Sequence, residues 1–158
     1  AGIISKYIAY ECDVDITCLE GSPTHLKLMR DNFGEKYNIV RPPIGVNAEI
    51  IEGFAQDIPL GDNSRQFVFT STVIMHMPFF MAALALMECH RISSHYICHV
   101  ENKYGDIIMG NQVNEKNRLN IDIRRFYEAL GVETVVYEEK PLVNASGHTA
   151  IYYVGKKN

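Results

Sequence analysis

A chain of 158 residues, 47% of them hydrophobic, suits one domain with a sizeable core. The formal net charge of −4 and the lack of a basic stripe argue against a nucleic-acid backbone as the main partner, because phosphate binding needs clustered Lys and Arg. No stretch reads as a membrane span: the most apolar segment, 67–90, is split by His76 and Pro78 and dotted with Ser and Thr.

Residues 3–10 (IISKYIAY) place apolar side chains at 3, 4, 7 and 8, one face of a helix. They have neither the basic start nor the long apolar run of a signal peptide. A short strand follows at 15–20 (DITCLE). In SPTHLKLMRDNFG, Ser22 is a candidate N-cap, Pro23 a first helical residue and Gly34 a stop. Two prolines make 38–47 a loop. Residues 48–54 read as a strand, 55–64 as a loop, 66–73 as a strand, 78–92 as a helix opened by proline, and 95–101 as a strand. The polar stretch 102–119 is irregular. Residues 120–131 form an amphipathic helix ended by Gly131, and 132–140 and 148–157 form two strands joined by a turn. Alternation through the first two thirds predicts an α/β fold with a largely parallel sheet and helices on both faces, and the closing strand–turn–strand predicts an antiparallel addition. No linker or repeat divides the chain, so residues 1–158 are expected to be a single domain.

Cys12, Cys18, Cys89 and Cys98 form no C-x-x-C pair, and the last three lie in apolar stretches. Buried, reduced thiols of a cytoplasmic protein are the expectation. His95 and His99 stand four residues apart, but on a strand that separation spans roughly 13 Å, too far for one ion, so no metal site is expected.

The first strand stops on a carboxylate, Glu20, and turns through Gly21-Ser22-Pro23 into a helix. Ligands of open α/β sheets bind beyond the carboxyl ends of the strands. An acid there can accept both hydroxyls of a ribose, although a solvated turn acid reads equally well from position alone.

Residues 50–78 (IIEGFAQDIPLGDNSRQFVFTSTVIMHMP) resemble the class I S-adenosylmethionine-dependent methyltransferases. The resemblance rests on Ala55-Gln56-Asp57-Ile58-Pro59 after a strand, then Asp62-Asn63-Ser64, a strand rich in Val and Phe, and Val73-Ile74-Met75-His76. Residues 85–102 are similar to the family's next helix and strand. The register is fair over 1–101, and the rest matches by topology. The resemblance implies a Rossmann-like, doubly wound, mostly parallel sheet with an antiparallel C-terminal strand, and S-adenosylmethionine as cofactor. Glu20 would hold the ribose, with Gly21 and Ser22 lining its turn. Asp57 would accept from the adenine amine, with Gln56 and Ile58 flanking the ring. Ser71 and Thr72 would lie near the methionine part, and His76 would face the cofactor or the acceptor as the catalytic candidate. His99 and Glu101 are further candidates for a general base.

The family's first strand and most of its G-x-G-x-G loop are missing: Ala1-Gly2 matches the tail of that loop, with Gly2 near the cofactor. The expectation is a fragment preceded by an apolar strand ending in glycines. Arg65-Gln66 stands where the family usually has Phe-Asp. The function implied is methyl transfer to a small-molecule acceptor. A non-catalytic methyltransferase-like interaction domain and a dinucleotide-binding oxidoreductase, which also ends a strand on an acid, stand as alternatives.

Overall fold

The computed structural model describes residues 3–33, 47–104, 121–141 and 148–158. Its internal contacts divide the chain into two compact units, Ala1–Ile58 and Pro59–Asn158.

In the first unit, helix α1 (Ile3–Cys12) leads to strand β1 (Ile16–Glu20), helix α2 (Pro23–Phe33) and strand β2 (Ala48–Glu52). β1 and β2 pair in parallel, from Ile16 opposite Ala48 to Glu20 opposite Glu52. Parallel pairing needs a long return, and α2 lies on it. The amide of Leu26 donates to the carbonyl of Ser22 at 2.8 Å and closes the first turn of α2. Ser22 Oγ lies 3.5 Å from the amide of His25, at the outer limit for a cap. Ala9, Cys18, Leu26 and Met29 are buried, and the three-residue spacing of the last two gives α2 its inner face.

The second unit contains strand β3 (Arg65–Ser71), a 3-10 turn (Ile74–His76), helix α3 (Phe79–Ile92), strand β4 (Ser93–Tyr104), helix α4 (Ile123–Glu128), and strands β5 (Glu133–Pro141) and β6 (His148–Lys156). The four strands lie in the order β3-β4-β6-β5. β3 and β4 are parallel, and β6 is antiparallel to both β4 and β5. Small residues let α3 come close: it buries Ala82, Ala85, Leu86, Cys89 and Ile92 at helical spacing. Ile97 from β4, Ile123 and Tyr127 from α4, and Ala150, Ile151 and Tyr153 from β6 complete the core. Within it the rings of His99, Tyr127 and Tyr153 stack, with centroids 5.4 to 6.1 Å apart.

The fold is α/β with parallel strands and one antiparallel C-terminal strand, as the alternation implied. The described strands form two sheets, and among the described residues no strand pairs β1 on the side away from β2 or β3 on the side away from β4. Three elements differ from expectation. Residues 102–104 extend β4, because β6 offers them Ala150, Thr149 and His148 as partners. α4 is shorter than 120–131: Asp122 accepts from the amide of Arg125 at 3.0 Å and starts it, and Gly131, at φ 78°, ends the turn that follows. The strand expected over 66–73 ends at Ser71, and residues 74–76, expected in no element, form a 3-10 turn. The stop signal at Gly34, the loop over 38–46 and most of the stretch 102–119 lie outside the described residues.

At φ 78° a side chain is disfavoured, and the amide of Gly131 is bonded to the carbonyl of Glu128 at 3.0 Å. Gly131→Ala is expected to cost about 1 kcal/mol, read as a lower urea midpoint with an unchanged slope.

Candidate functional site

The carboxyl ends of β1 and β2 form one cluster. Glu20 is the last residue of β1, and its side chain is 23% exposed. Its Oε1 accepts from the amide of Ser22 at 2.8 Å, and its Oε2 lies 3.5 Å from His25 Nδ1. A carboxylate has about four acceptor positions, so most of its capacity is left over. The amide of Gly53 donates to the carbonyl of Glu20 at 3.2 Å as the last rung of the ladder, and Phe54 instead bridges to Asp57 across a tight turn. A Cβ at Gly21 would stand 2.7 Å from the ring of Phe54, so only glycine allows this approach. Phe54 is itself 61% exposed. The amide of Asp57 donates to the carbonyl of Phe54 at 3.0 Å, leaving the Asp57 side chain exposed at the same strand ends. Gln56 is half-buried and Ile58 is buried.

In the second unit the carboxyl end of β3 carries another cluster. Ser71 pairs with Val100, and the amide of Thr72 donates to the carbonyl of Val100 at 2.9 Å. Thr72 sits at φ 54°, a left-handed conformation rare for a β-branched residue. The 3-10 turn follows. It buries Ile74 and Met75 and leaves Thr72 and His76 exposed.

Beneath this tip lies a polar network. Thr70 Oγ1 is 2.7 Å from both His99 Nδ1 and Glu101 Oε1. His99 Nε2 is 2.8 Å from the hydroxyl of Tyr127. Glu101 also accepts from the amides of Val73 and Met75, at 3.2 Å each. His99 is fully buried and Glu101 is 3% exposed. Neither can reach an acceptor molecule as a general base, which removes both from the candidates and leaves His76. Burial pushes the His99 imidazolium down to about 3, so it is neutral near pH 7.

The structure therefore gathers Glu20, Gly21, Ser22, Gln56, Asp57 and Ile58 at one pair of strand ends, and Ser71, Thr72 and His76 at another. Gly2 lies outside the described residues. Sequence reasoning missed Phe54 and the inward role of Glu101. An aromatic directly after Gly53 at a strand end was the available signal for the first. Among the described residues no cluster of three or more His, Cys, Asp or Glu could hold a metal ion. The four cysteines are unpaired; burial first, then Glu88 and Glu101, push the Cys89 thiol up to about 12. No helix among the described residues is long and apolar enough to cross a membrane.

The family described as "Methyltransferase domain" matches residues 1–102. No curated protein matches the chain by sequence. Among solved structures, the chain is similar to a putative sarcosine dimethylglycine methyltransferase from Galdieria sulphuraria, at 14% identity and a TM-score of 0.77, covering 99% of this chain and 75% of that one. It is similar to the [4+2]-cyclase SpnF, at 12% identity and a TM-score of 0.77, covering 99% and 70%. It is also similar to the magnesium protoporphyrin IX methyltransferase of Synechocystis PCC 6803 with bound SAH, at 8% identity and a TM-score of 0.68, covering 94% and 67%. At these identities the likeness carries the fold alone.

The buried histidine gives stability a pH dependence. His99 takes up a proton near pH 6.5 when unfolded but only near pH 3 when folded, so between these values the unfolded state binds more protons. Stability is full above pH 6.5 and falls as pH drops towards 3, by at most about 1.4 kcal/mol per pH unit. His90, lowered by burial and by Lys157, acts in the same sense. Urea unfolding is expected to show a lower midpoint at about pH 5 than at about pH 7, with His99→Gln narrowing the gap; equal midpoints would contradict a neutral buried His99.

Proposed function

The chain belongs to the methyltransferase-domain family, whose methyl donor is S-adenosylmethionine, and from that premise we propose that it transfers the donor's methyl group to a small-molecule acceptor. The observation that carries the reading is Glu20: a half-buried carboxylate with spare acceptor positions, ending one of two parallel strands. The cluster around it fits an adenosine. Two vicinal hydroxyls need two acceptors on one group, and Glu20 has them. Gly21 and Ser22 line the ribose turn. A purine needs an apolar wall, and the exposed ring of Phe54 beside Gly21 offers one. The adenine amine needs an acceptor, and Asp57 is exposed on the same turn. Gln56 and Ile58 flank the ring in this reading, Ile58 from the buried side of the turn.

Ser71 and Thr72, at the β3 tip, and Gly2 contact the methionine part. His76, exposed at the end of the 3-10 turn, faces the acceptor. When bound, the sulfonium supplies a methyl group already activated for in-line displacement. The protein's residues then mainly bind, align and exclude water. His76 can take the proton from an acceptor that must lose one before attack.

The family match crosses from the first compact unit into the second, which supports reading 1–158 as one methyltransferase-like domain. Net acidity without a basic stripe supports a small acceptor rather than a nucleic acid, and four unpaired cysteines support a reducing, cytoplasmic setting. A second reading has its own support: one solved protein of this fold is a [4+2]-cyclase, so the fold does not by itself fix the reaction.

Calorimetric titration with S-adenosylhomocysteine tests the proposal. The full chain is expected to bind it and not NADH. Glu20→Ala is expected to weaken binding about 10- to 100-fold, and Asp57→Asn less, because the amide keeps one carbonyl oxygen. Binding of NADH in its place would refute the assignment.

A further inference from the structure

We infer that Glu101 is a positioning residue, whose carboxylate holds the turn after β3 in the strained form that presents Thr72 and His76 at the cofactor site. This rests on the reading of the β3 tip as part of that site.

The 3-10 turn has Val73 at its N-cap, which gives it no side-chain cap. Its first amides would be orphans inside a structure that buries Ile74 and Met75. Glu101, on the neighbouring strand, supplies the missing acceptors: Oε1 to the amide of Val73 and Oε2 to that of Met75. Among the described residues this carboxylate has no cationic partner. Its place in the protein interior is secured by donors alone, and the hydroxyl of Thr70 is the shortest of them at 2.7 Å.

The same bonds bracket the backbone strain. A β-branched residue at φ 54° persists only where its surroundings over-determine it. The amide of Thr72 is fixed to the carbonyl of Val100, and the next amide, that of Val73, is fixed to Glu101. The Thr72 hydroxyl donates to the carbonyl of Ser71 at 2.7 Å. Both anchors of the left-handed residue therefore come from consecutive residues of β4, one by its main chain and one by its side chain.

The direction of the hydrogens extends this further. Thr70 has one hydroxyl hydrogen and gives it to Glu101, so His99 Nδ1 must carry a hydrogen and donate to Thr70 Oγ1. A neutral His99 then presents Nε2 as an acceptor to the hydroxyl of Tyr127, whose oxygen also lies 3.1 Å from the carbonyl of Leu86, so that its one hydrogen has two acceptors in reach. His99 and Thr70 both donate towards Glu101, and the row that starts at Tyr127 links α4 to the β3 tip. This tautomer is assigned from the network.

The test is a double-mutant cycle on the full chain. It combines Glu101→Gln, which leaves one acceptor oxygen where two are needed, with Thr72→Gly, which removes the left-handed penalty. Glu101→Gln is expected to lower the melting temperature and to weaken S-adenosylhomocysteine at least about tenfold. In the Thr72→Gly background both losses shrink, because the turn no longer needs to be held. Thr70→Val, which removes only the bridging hydroxyl, is expected to follow the same pattern more weakly and serves if Glu101→Gln does not fold. Strictly additive losses would overturn the inference, and so would unchanged ligand affinity in a folded Glu101 variant. If the wild-type chain binds no S-adenosylhomocysteine, the proposed function fails, while the melting-temperature cycle still decides whether Glu101 holds Thr72.

Discussion

A carboxylate buried without a cation must be met by hydrogen-bond donors, and this requirement organises the second unit. The parallel register of β3 and β4 places Thr70 opposite His99 and Ser71 opposite Val100. Side chains on a strand alternate, so His99 and Glu101 share a face. The chain beyond Ser71 passes over Glu101 and offers it main-chain amides. Those of Val73 and Met75 meet the carboxylate, the segment tightens into a 3-10 turn, and Ile74 and Met75 go into the core while His76 stays outside. Losing one partner of such a buried group costs about 1–3 kcal/mol, comparable to the strain of a threonine in the left-handed region. Neither feature is stable alone.

Two acids, Glu20 at the end of β1 and Glu101 within β4, thus differ in how far the protein itself satisfies them. Glu101 has both oxygens engaged and almost no exposure. Glu20 accepts from one amide and is half-buried, so it keeps spare acceptor positions. The difference is not chemical identity but how many donors the protein itself brings. This also explains why His99 is unsuited to catalysis. Its two nitrogens are engaged with Thr70 and Tyr127, and its ring packs against both Tyr127 and Tyr153.

Much of this was legible in the sequence. Apolar runs, many of them bounded by Pro, Gly, Asn or Asp, marked the described strands and α-helices, because burial and turn chemistry act locally. The strand ending on Glu20 marked a candidate site edge, and the structure puts Asp57 at the same strand ends. What was not legible depends on non-local pairing. Residues 102–104 look like loop but become strand because β6 lies alongside. Phe54 looks like the last residue of a strand, but it leaves β1 and bridges to Asp57 across a tight turn. Thr72 is the clearest case. No sequence rule puts a left-handed turn at a β-branched residue, since the hydrogen bonds that hold it there come from β4, some 28 residues on. His99 and Glu101 read as polar strand-end residues because a sequence carries no measure of depth.

The polar row also accounts for a small element that otherwise has little reason to be ordered. α4 has six helical residues, too few to be stable alone. Asp122 caps its start, and the left-handed Gly131 ends the turn after it. Its ring of Tyr127 is fully buried, stacked against His99 and Tyr153, with the hydroxyl on His99 Nε2. Burial of that ring gives the helix its hold on the sheet, and the hydroxyl gives the hold a direction. Turning the imidazole would break its bond to Thr70, whose hydroxyl is the shortest donor to Glu101. The tip that carries Thr72 and His76 is thus tied to α4 through a row of buried side chains.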